Sequence, residues 1–285
     1  MRDHNHPRAK DKRPTENLVA LALSADDDHD QWDLIVTLHY RGGAEEFQVA
    51  ADLCRSQDPR ERKVGADILG QLGWADRTFL AESVDLLIPL LNDPNDSVIS
   101  SAAIALGHRG DPRAVLPLCA LARHSDPELR HSVAFALGSF DEPAAIKVKI
   151  QLSADEDPEV RDWATFALGS LSEVDSEEIR EALYARSEDE DEIVRGEALV
   201  GLARRQDDRA LGLVRRELAN KIGDNLVLDA AELLADPTLI PLLRAQRNYW
   251  DAKDEERFGD TLDAVIETCE SKAKANSCST EDLLE

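Results

Sequence analysis

Three histidines, His108, His124 and His131, fall close together and could converge on one point. Their spacing matches no zinc signature, and surface or capping roles fit them better. The four cysteines, Cys54, Cys119, Cys269 and Cys278, lie far apart with no Cys-x-x-Cys pair, which reads as reduced thiols. Carboxylates suited to acid–base catalysis occur throughout a chain holding 58 Asp and Glu, so they single out no site. No glycine-rich phosphate loop and no Gly-x-Ser-x-Gly elbow is present. Asp26, Asp27, Asp28 and Asp30 cluster ahead of an apolar run, where carboxylates complement a helix dipole; cation binding is the alternative. One pairing recurs: Asp126 with Arg130, Asp157 with Arg161 and Asp191 with Arg195, always four residues apart. A catalytic ladder is conceivable. Repetition in one register fits scaffold residues better, each arginine meeting an aspartate or helix end of its own or the next repeat and fixing the stacking angle. The sequence therefore predicts no catalytic residue, no metal ligand and no cofactor.

These residues sit on a recurring element. In 157–169 (DPEVRDWATFALG), Val160, Ala164, Ala167 and Leu168 form one apolar helical stripe. Asp157 is placed to cap the helix, Pro158 suits its first turn, and Gly169 is expected to end it with a positive φ. Copies close at Gly70, Gly107, Gly138, Gly169 and Ala203, with a worn copy from Gly223 to Ala235; the closing positions are 31 to 37 residues apart. A second helix fills the rest of each unit, at 82–91, 113–123, 143–152, 177–186, 209–220 and 238–246. An earlier helical pair is expected at 32–40 and 45–55, and a capping helix at 255–271. A period in the thirties with two helices per unit is the mark of an α-solenoid, and no strand pattern competes with it. Residues 1–16 are expected to be disordered, 17–271 to form the array and 272–285 to be a flexible tail.

Lys and Arg number 33 against 58 acidic residues, a formal charge of −25. Nucleic-acid and anionic-membrane affinity rest on the opposite sign, so both are excluded as partners, whereas a basic protein would be steered toward this surface. The bland alternative is that the charge serves solubility alone. No window approaches the ~18 apolar residues of a membrane span, and residues 1–17 lack a signal-peptide core, which reads as soluble and cytoplasmic.

The Asp-Pro-Glu-Leu-Arg and Asp-Pro-Glu-Val-Arg runs at 126–130 and 157–161, the Ala-Leu-Gly endings at 105–107, 136–138 and 167–169, and Gly-Asp-Pro-Arg-Ala-Val at 110–115 carry a resemblance. Over roughly residues 25–270 the chain resembles the HEAT-repeat superfamily, specifically the bacterial class of phycobilin-lyase HEAT-like repeats. The resemblance implies a right-handed α-solenoid of about six to seven repeats. Within that superfamily, deoxyhypusine hydroxylase looks similar but holds two irons through His-Glu dipeptides. Here the matching position reads His131-Ser132, and none of the seven histidines precedes a glutamate. HEAT-like DNA glycosylases need a basic groove, which the charge opposes. Phycobilin lyases act as paired subunits handing a linear tetrapyrrole to an apo-protein, and the resemblance allows that role.

Two features depart from a plain repeat. Ile104, Phe135, Phe166 and Val200 share a slot off the core stripe and would form an apolar ridge for a partner helix or aromatic ligand; packing between neighbouring repeats is the alternative. The loops carrying Asp155 and Glu156, then Glu188, Asp189 and Glu190, would stack into a negative edge. The expected function is a non-enzymatic scaffold binding a basic protein through a curved acidic surface, an immunity-type toxin neutraliser being one special case. The alternatives are a phycobilin-lyase-type subunit handling a tetrapyrrole and an unrecognised metal-dependent or hydrolytic enzyme.

Overall fold

A computed structural model describes residues 6–25, 27–73, 77–220, 225–252 and 258–281. Met1 to Asn5, Asp26, Gly223 and Glu255 lie outside them. The described residues contain sixteen α-helices and no strand, in the all-α solenoid class that the repeat period predicts. They divide into two compact units, Met1–Val148 and Lys149–Glu285.

The first unit contains four hairpins: α1 (Thr15–Ser24) with α2 (Asp28–Arg41), α3 (Ala44–Leu53) with α4 (Pro59–Gln71), α5 (Leu80–Leu90) with α6 (Asp96–Arg109), and α7 (Val115–Ala120) with α8 (Pro127–Leu137). The unit boundary falls within α9 (Pro143–Leu152). The second unit contains α10 (Pro158–Phe166) and three further hairpins: α11 (Glu177–Arg186) with α12 (Glu192–Arg204), α13 (Ala210–Ala219) with α14 (Leu226–Leu234), and α15 (Ile240–Asp251) with α16 (Gly259–Glu281). Within each unit the second helices of successive hairpins lie against one another, α2–α4–α6–α8 and α10–α12–α14–α16.

Sequence periodicity did not separate out α1, whose Leu18, Val19 and Ala22 are buried. That helix shifts the first pairing: α2 packs on α1, and α3 on α4, so the predicted pair 32–40 with 45–55 is not a hairpin. Ahead of α1, Pro7–Lys10 form a 3-10 turn; His6 stacks on Tyr40 at 3.9 Å and Arg8 pairs with Asp33. The helix predicted over 113–123 is shorter. Pro112–Ala114 form a 3-10 turn ahead of α7, which ends at Ala120. At the far end α16 runs beyond Ser271 to Glu281.

Helix starts follow the expected chemistry. Asp58, Asn95, Asp126, Asp157 and Asp191 each accept a first-turn N–H with the side chain, satisfying a donor the helix cannot. Helix ends do not follow it. Gly138 has φ −54°, Gly107 lies inside α6, and Gly169 lies in a π-turn, Ala167–Leu171, capped by Ser172. The closing glycines are not left-handed stops; α6 ends instead at Gly110, with φ +60°. What they provide is close approach. A Cβ on Gly107 would lie 2.6 Å from the Ala136 Cα, one on Gly70 3.0 Å from Ala105, and one on Gly169 3.1 Å from the Gly201 Cα. Gly70, Gly107 and Gly169 thus each receive the small residue two places before the next copy's closing position.

Gly107→Ala should therefore lower unfolding stability by about 1–3 kcal/mol, since the added methyl meets the Ala136 backbone and its Cβ, which have no flexible atoms to yield. Gly212→Ala should do the reverse, raising it by about 0.5–1 kcal/mol, because nothing lies within 4 Å of that position on α13. Urea denaturation of the two variants beside the parent chain checks both signs.

Candidate functional site

The arginine ladder divides its work with the aspartates differently from the simplest pairing. Asp126, Asp157 and Asp191 are occupied as helix caps. Arg161 turns back to the carbonyls of Asp155 and Glu156 at 3.0 and 3.1 Å and reaches into the next repeat, where Nε and Nη2 each lie 3.0 Å from the Asp189 carboxylate. Arg62 does the same with Ser56, Gln57 and Asp93. Arg130 donates to the His124 and Ser125 carbonyls, and Arg195 to those of Asp189 and Glu190. The residue two places before each cap completes the loop by accepting the cap's own N–H: Asp93, His124, Asp155 and Asp189 all do so, at 3.0–3.2 Å.

That geometry takes the predicted acidic edge apart. The Asp189 side chain is 5% exposed and paired, so it is not available to a partner. Asp155 is half-buried in its turn. Glu188 is exposed and pairs with Arg216 at 2.5 Å; Glu156 and Glu190 point outward. The predicted apolar ridge is also modest. Val200 is buried, whereas Ile104, Phe135 and Phe166 are half-buried. Phe135 meets the His108 ring edge-on at 5.4 Å, and Phe166 meets Trp163 at 5.7 Å. His124 serves its own loop, apart from His108 and His131. Among the described residues no group of three His, Cys, Asp or Glu is arranged to hold a metal ion.

His108 and His131 do share a surface. In the first unit α2, α4, α6 and the start of α8 line an open groove of about 710 Å³. Trp32, 43% exposed, stands at the α2 side, its ring edge-on to buried His39. Burial pushes the His39 imidazole down to about 4, despite the Asp67 carbonyl 2.9 Å from its Nε2, so it is neutral near pH 7. Lys63 pairs with Asp67 at 3.0 Å, the Ser100 and Ser132 hydroxyls meet at 2.6 Å, and Gln71 contacts His108 at 3.2 Å. Burial, then the Arg109 charge, hold the His108 imidazole below its ordinary value. Lys63 is the groove's one cation among the described lining residues, against the carboxylates of Asp67, Asp96, Asp126 and Glu128.

Most of this groove escaped the sequence reading, although a signal was present. Counting back from each closing glycine, Lys63, Ser100 and His131 share the seventh place, and Asp67, Ile104 and Phe135 the third. Places four apart lie on one helix face, and that is the face turned to the groove at α4 and α6. Only the apolar members of the third place had stood out.

The Arg161–Asp189 pair yields a measurable consequence. Burial raises the Asp189 carboxyl, but the Arg161 guanidinium and the Asp191 N–H outweigh it and leave it below its ordinary value. A carboxyl lowered in the folded state contributes stability above its unfolded value of about 4, and that contribution is lost as pH falls through the lower folded value. Arg161→Met should cost about 3 kcal/mol at pH 7 by stranding a buried charge. The gap to the parent chain should narrow below about pH 4 as Asp189 takes up a proton. Urea titrations at pH 7, 4 and 3 measure it.

A family model described as HEAT repeats matches residues 84–148 and 147–235, more than half of the chain. The Escherichia coli (strain K12) protein YibA is 32% identical over 91 residues, a stretch that is 32% of each protein, so the aligned sequence spans about a third of that relative. The solved structure of the E. coli YibA chain superposes with a TM-score of 0.70 at 26% identity, covering 91% of this chain and 93% of that one. Kap121p superposes at 0.61 with 14% identity over 81% of this chain and 30% of its own, a likeness of fold alone. The repeat period, the paired helices, the small-residue seams and the family match lead to one assignment: this chain belongs to the HEAT-repeat family.

Proposed function

We propose that this chain is a non-enzymatic scaffold whose partner is a protein presenting a Lys- and Arg-bearing segment to the groove of the first unit. The observation that carries the reading is the charge of that lining, four carboxylates to one lysine, with the lysine already bound to Asp67. Asp96 and Glu128 stand at the starts of neighbouring helices α6 and α8, where a cation would meet both. Trp32 adds an exposed aromatic face at the other side, on which a guanidinium can stack. The serine and glutamine side chains on the floor bond within the groove, so they furnish polar contact surface and not a poised nucleophile.

The groove replaces the loop edge as the favoured surface, because Asp189 and Asp155 are committed to their own turns. Electrostatic steering gives such a pair a fast, salt-sensitive association.

A fluorescein-labelled peptide alternating Lys and Arg with small residues, followed by anisotropy, tests this. Asp96→Lys/Glu128→Lys should weaken binding at least about tenfold, and Trp32→Ala should weaken it further. Glu156→Lys/Glu190→Lys changes net charge by the same amount on exposed loop residues of the second unit and should have far less effect. Equal losses from both double variants would mean that net charge alone attracts the peptide, and the groove would have no special role.

A further inference from the structure

At the edge of the groove, sharing Gly70 and His108 with it, lies a second, smaller cavity of about 120 Å³, whose other lining residues are Arg77 and Arg109. Among the described residues its lining holds two guanidiniums, an imidazole and no carboxylate, in a chain whose formal charge is −25.

Arg109 is 2% exposed. Its Nε donates to the Leu69 carbonyl at 2.6 Å, at the end of α4, and its Nη2 reaches the Ser83 hydroxyl at 3.3 Å. Among the described residues nothing accepts from Nη1, and no carboxylate pairs with the group. Arg77 donates to the Arg109 carbonyl through Nη1 and brings a second positive charge to the same place. Arg77 is held with φ +51°, a left-handed conformation unusual for a residue with a Cβ. Burial, then the Arg77 charge, push the Arg109 guanidinium down to about 10.

The second unit provides a control for what such an arginine ordinarily requires. Arg205 follows Leu202 and Ala203 in the register in which Arg109 follows Leu106 and Gly107. Its Nη1 and Nη2 donate to the carbonyls of Leu168, Gly169, Gly201, Ser172 and Val174, and although its buried Nε has no hydrogen-bond partner, the Asp175 carboxylate lies 4.0 Å from it. Arg109 has one carbonyl, one hydroxyl and, in place of the carboxylate, another cation. A buried cation beside a second one is costly unless an anion neutralises both, and guanidiniums with free N–H groups are the donors that oxoanions favour.

We infer that the cavity formed by Gly70, Arg77, His108 and Arg109 binds a small tetrahedral oxoanion of the phosphate or sulfate class. Arg77 and Arg109 donate to its oxygens from two sides, and the anion supplies the counter-charge that Asp175 supplies to Arg205. The inference does not rest on what the larger groove binds. An oxoanion held there would link the end of α4, through Arg109, to the segment carrying Arg77.

The test uses the full chain and inorganic phosphate, titrated by calorimetry at constant ionic strength made up with chloride. The parent should give saturable binding and a melting temperature several degrees above that in chloride alone; sulfate should compete. Arg77→Gln, which leaves the buried arginine in place, should weaken phosphate binding at least about tenfold. Arg113→Gln, a surface arginine paired with Asp85 and Asp111, should leave it unchanged. Should Arg109→Gln fail to fold, Arg77→Gln still decides the matter. Phosphate acting no differently from chloride, or binding Arg77→Gln as tightly as the parent, would overturn the inference.

Discussion

The separation between neighbouring repeats is fixed by backbone meeting backbone. Where Gly107 faces Ala136, and Gly169 faces Gly201, no side chain longer than a methyl intervenes, and a Cβ on the glycine would sit within about 3 Å of the opposing chain. This explains why Ala-Leu-Gly recurs as a unit. Ala105, Ala136 and Gly201 fill the space at Gly70, Gly107 and Gly169. The leucine, Leu69, Leu106, Leu137, Leu168 or Leu202, is fully buried. Interiors are close-packed and transmit strain, so a seam made this way sets distance and rotation together.

A second constraint acts at the loops, and it changes how the acidity is understood. Capping aspartates hold the helix starts, and the residues two places earlier hold the caps. Asp93 and Asp189 in turn neutralise Arg62 and Arg161 reaching across from the previous repeat. These carboxylates are structural parts of the joint between repeats. Their charge contributes to the total of −25 without being offered to a partner. Asp96 and Glu128, at the starts of α6 and α8 in the first unit, lie outside this arrangement.

Much of the architecture was legible because it follows from local rules. Asp-Pro before an apolar stripe identifies a capped helix start without reference to the rest of the chain, and 143–152 and 177–186 were placed with the bounds observed. The errors share a cause. A glycine after an apolar stripe has two physical explanations, a left-handed stop or a close neighbour, and only the position of the next repeat distinguishes them. Similarly, Asp189 is equally acidic in the sequence whether it faces solvent or Arg161, whose partner choice spans 28 residues. Trp32, Lys63 and Ser100 come from three different helices, and no spacing within one copy reveals that they share a groove.

The groove draws side chains from four second helices, so an occupant spans the three seams between them. Repeat arrays are stabilised by nearest-neighbour interfaces, each able to open separately from those beyond it. A ligand touching one helix would stabilise one hairpin. One that touches α2, α4, α6 and α8 gains its full contact only when all three seams are closed, two of them at the spacing set by Gly70 and Gly107, and by linkage it stabilises that closed arrangement by an amount set by its concentration relative to Kd. The small-residue seams therefore do more than build the array. By fixing the distance between carboxylates on successive helices, they would set the spacing of positive charges that the proposed partner must present, and a segment with another spacing would lose contacts to one helix or open a seam to keep them.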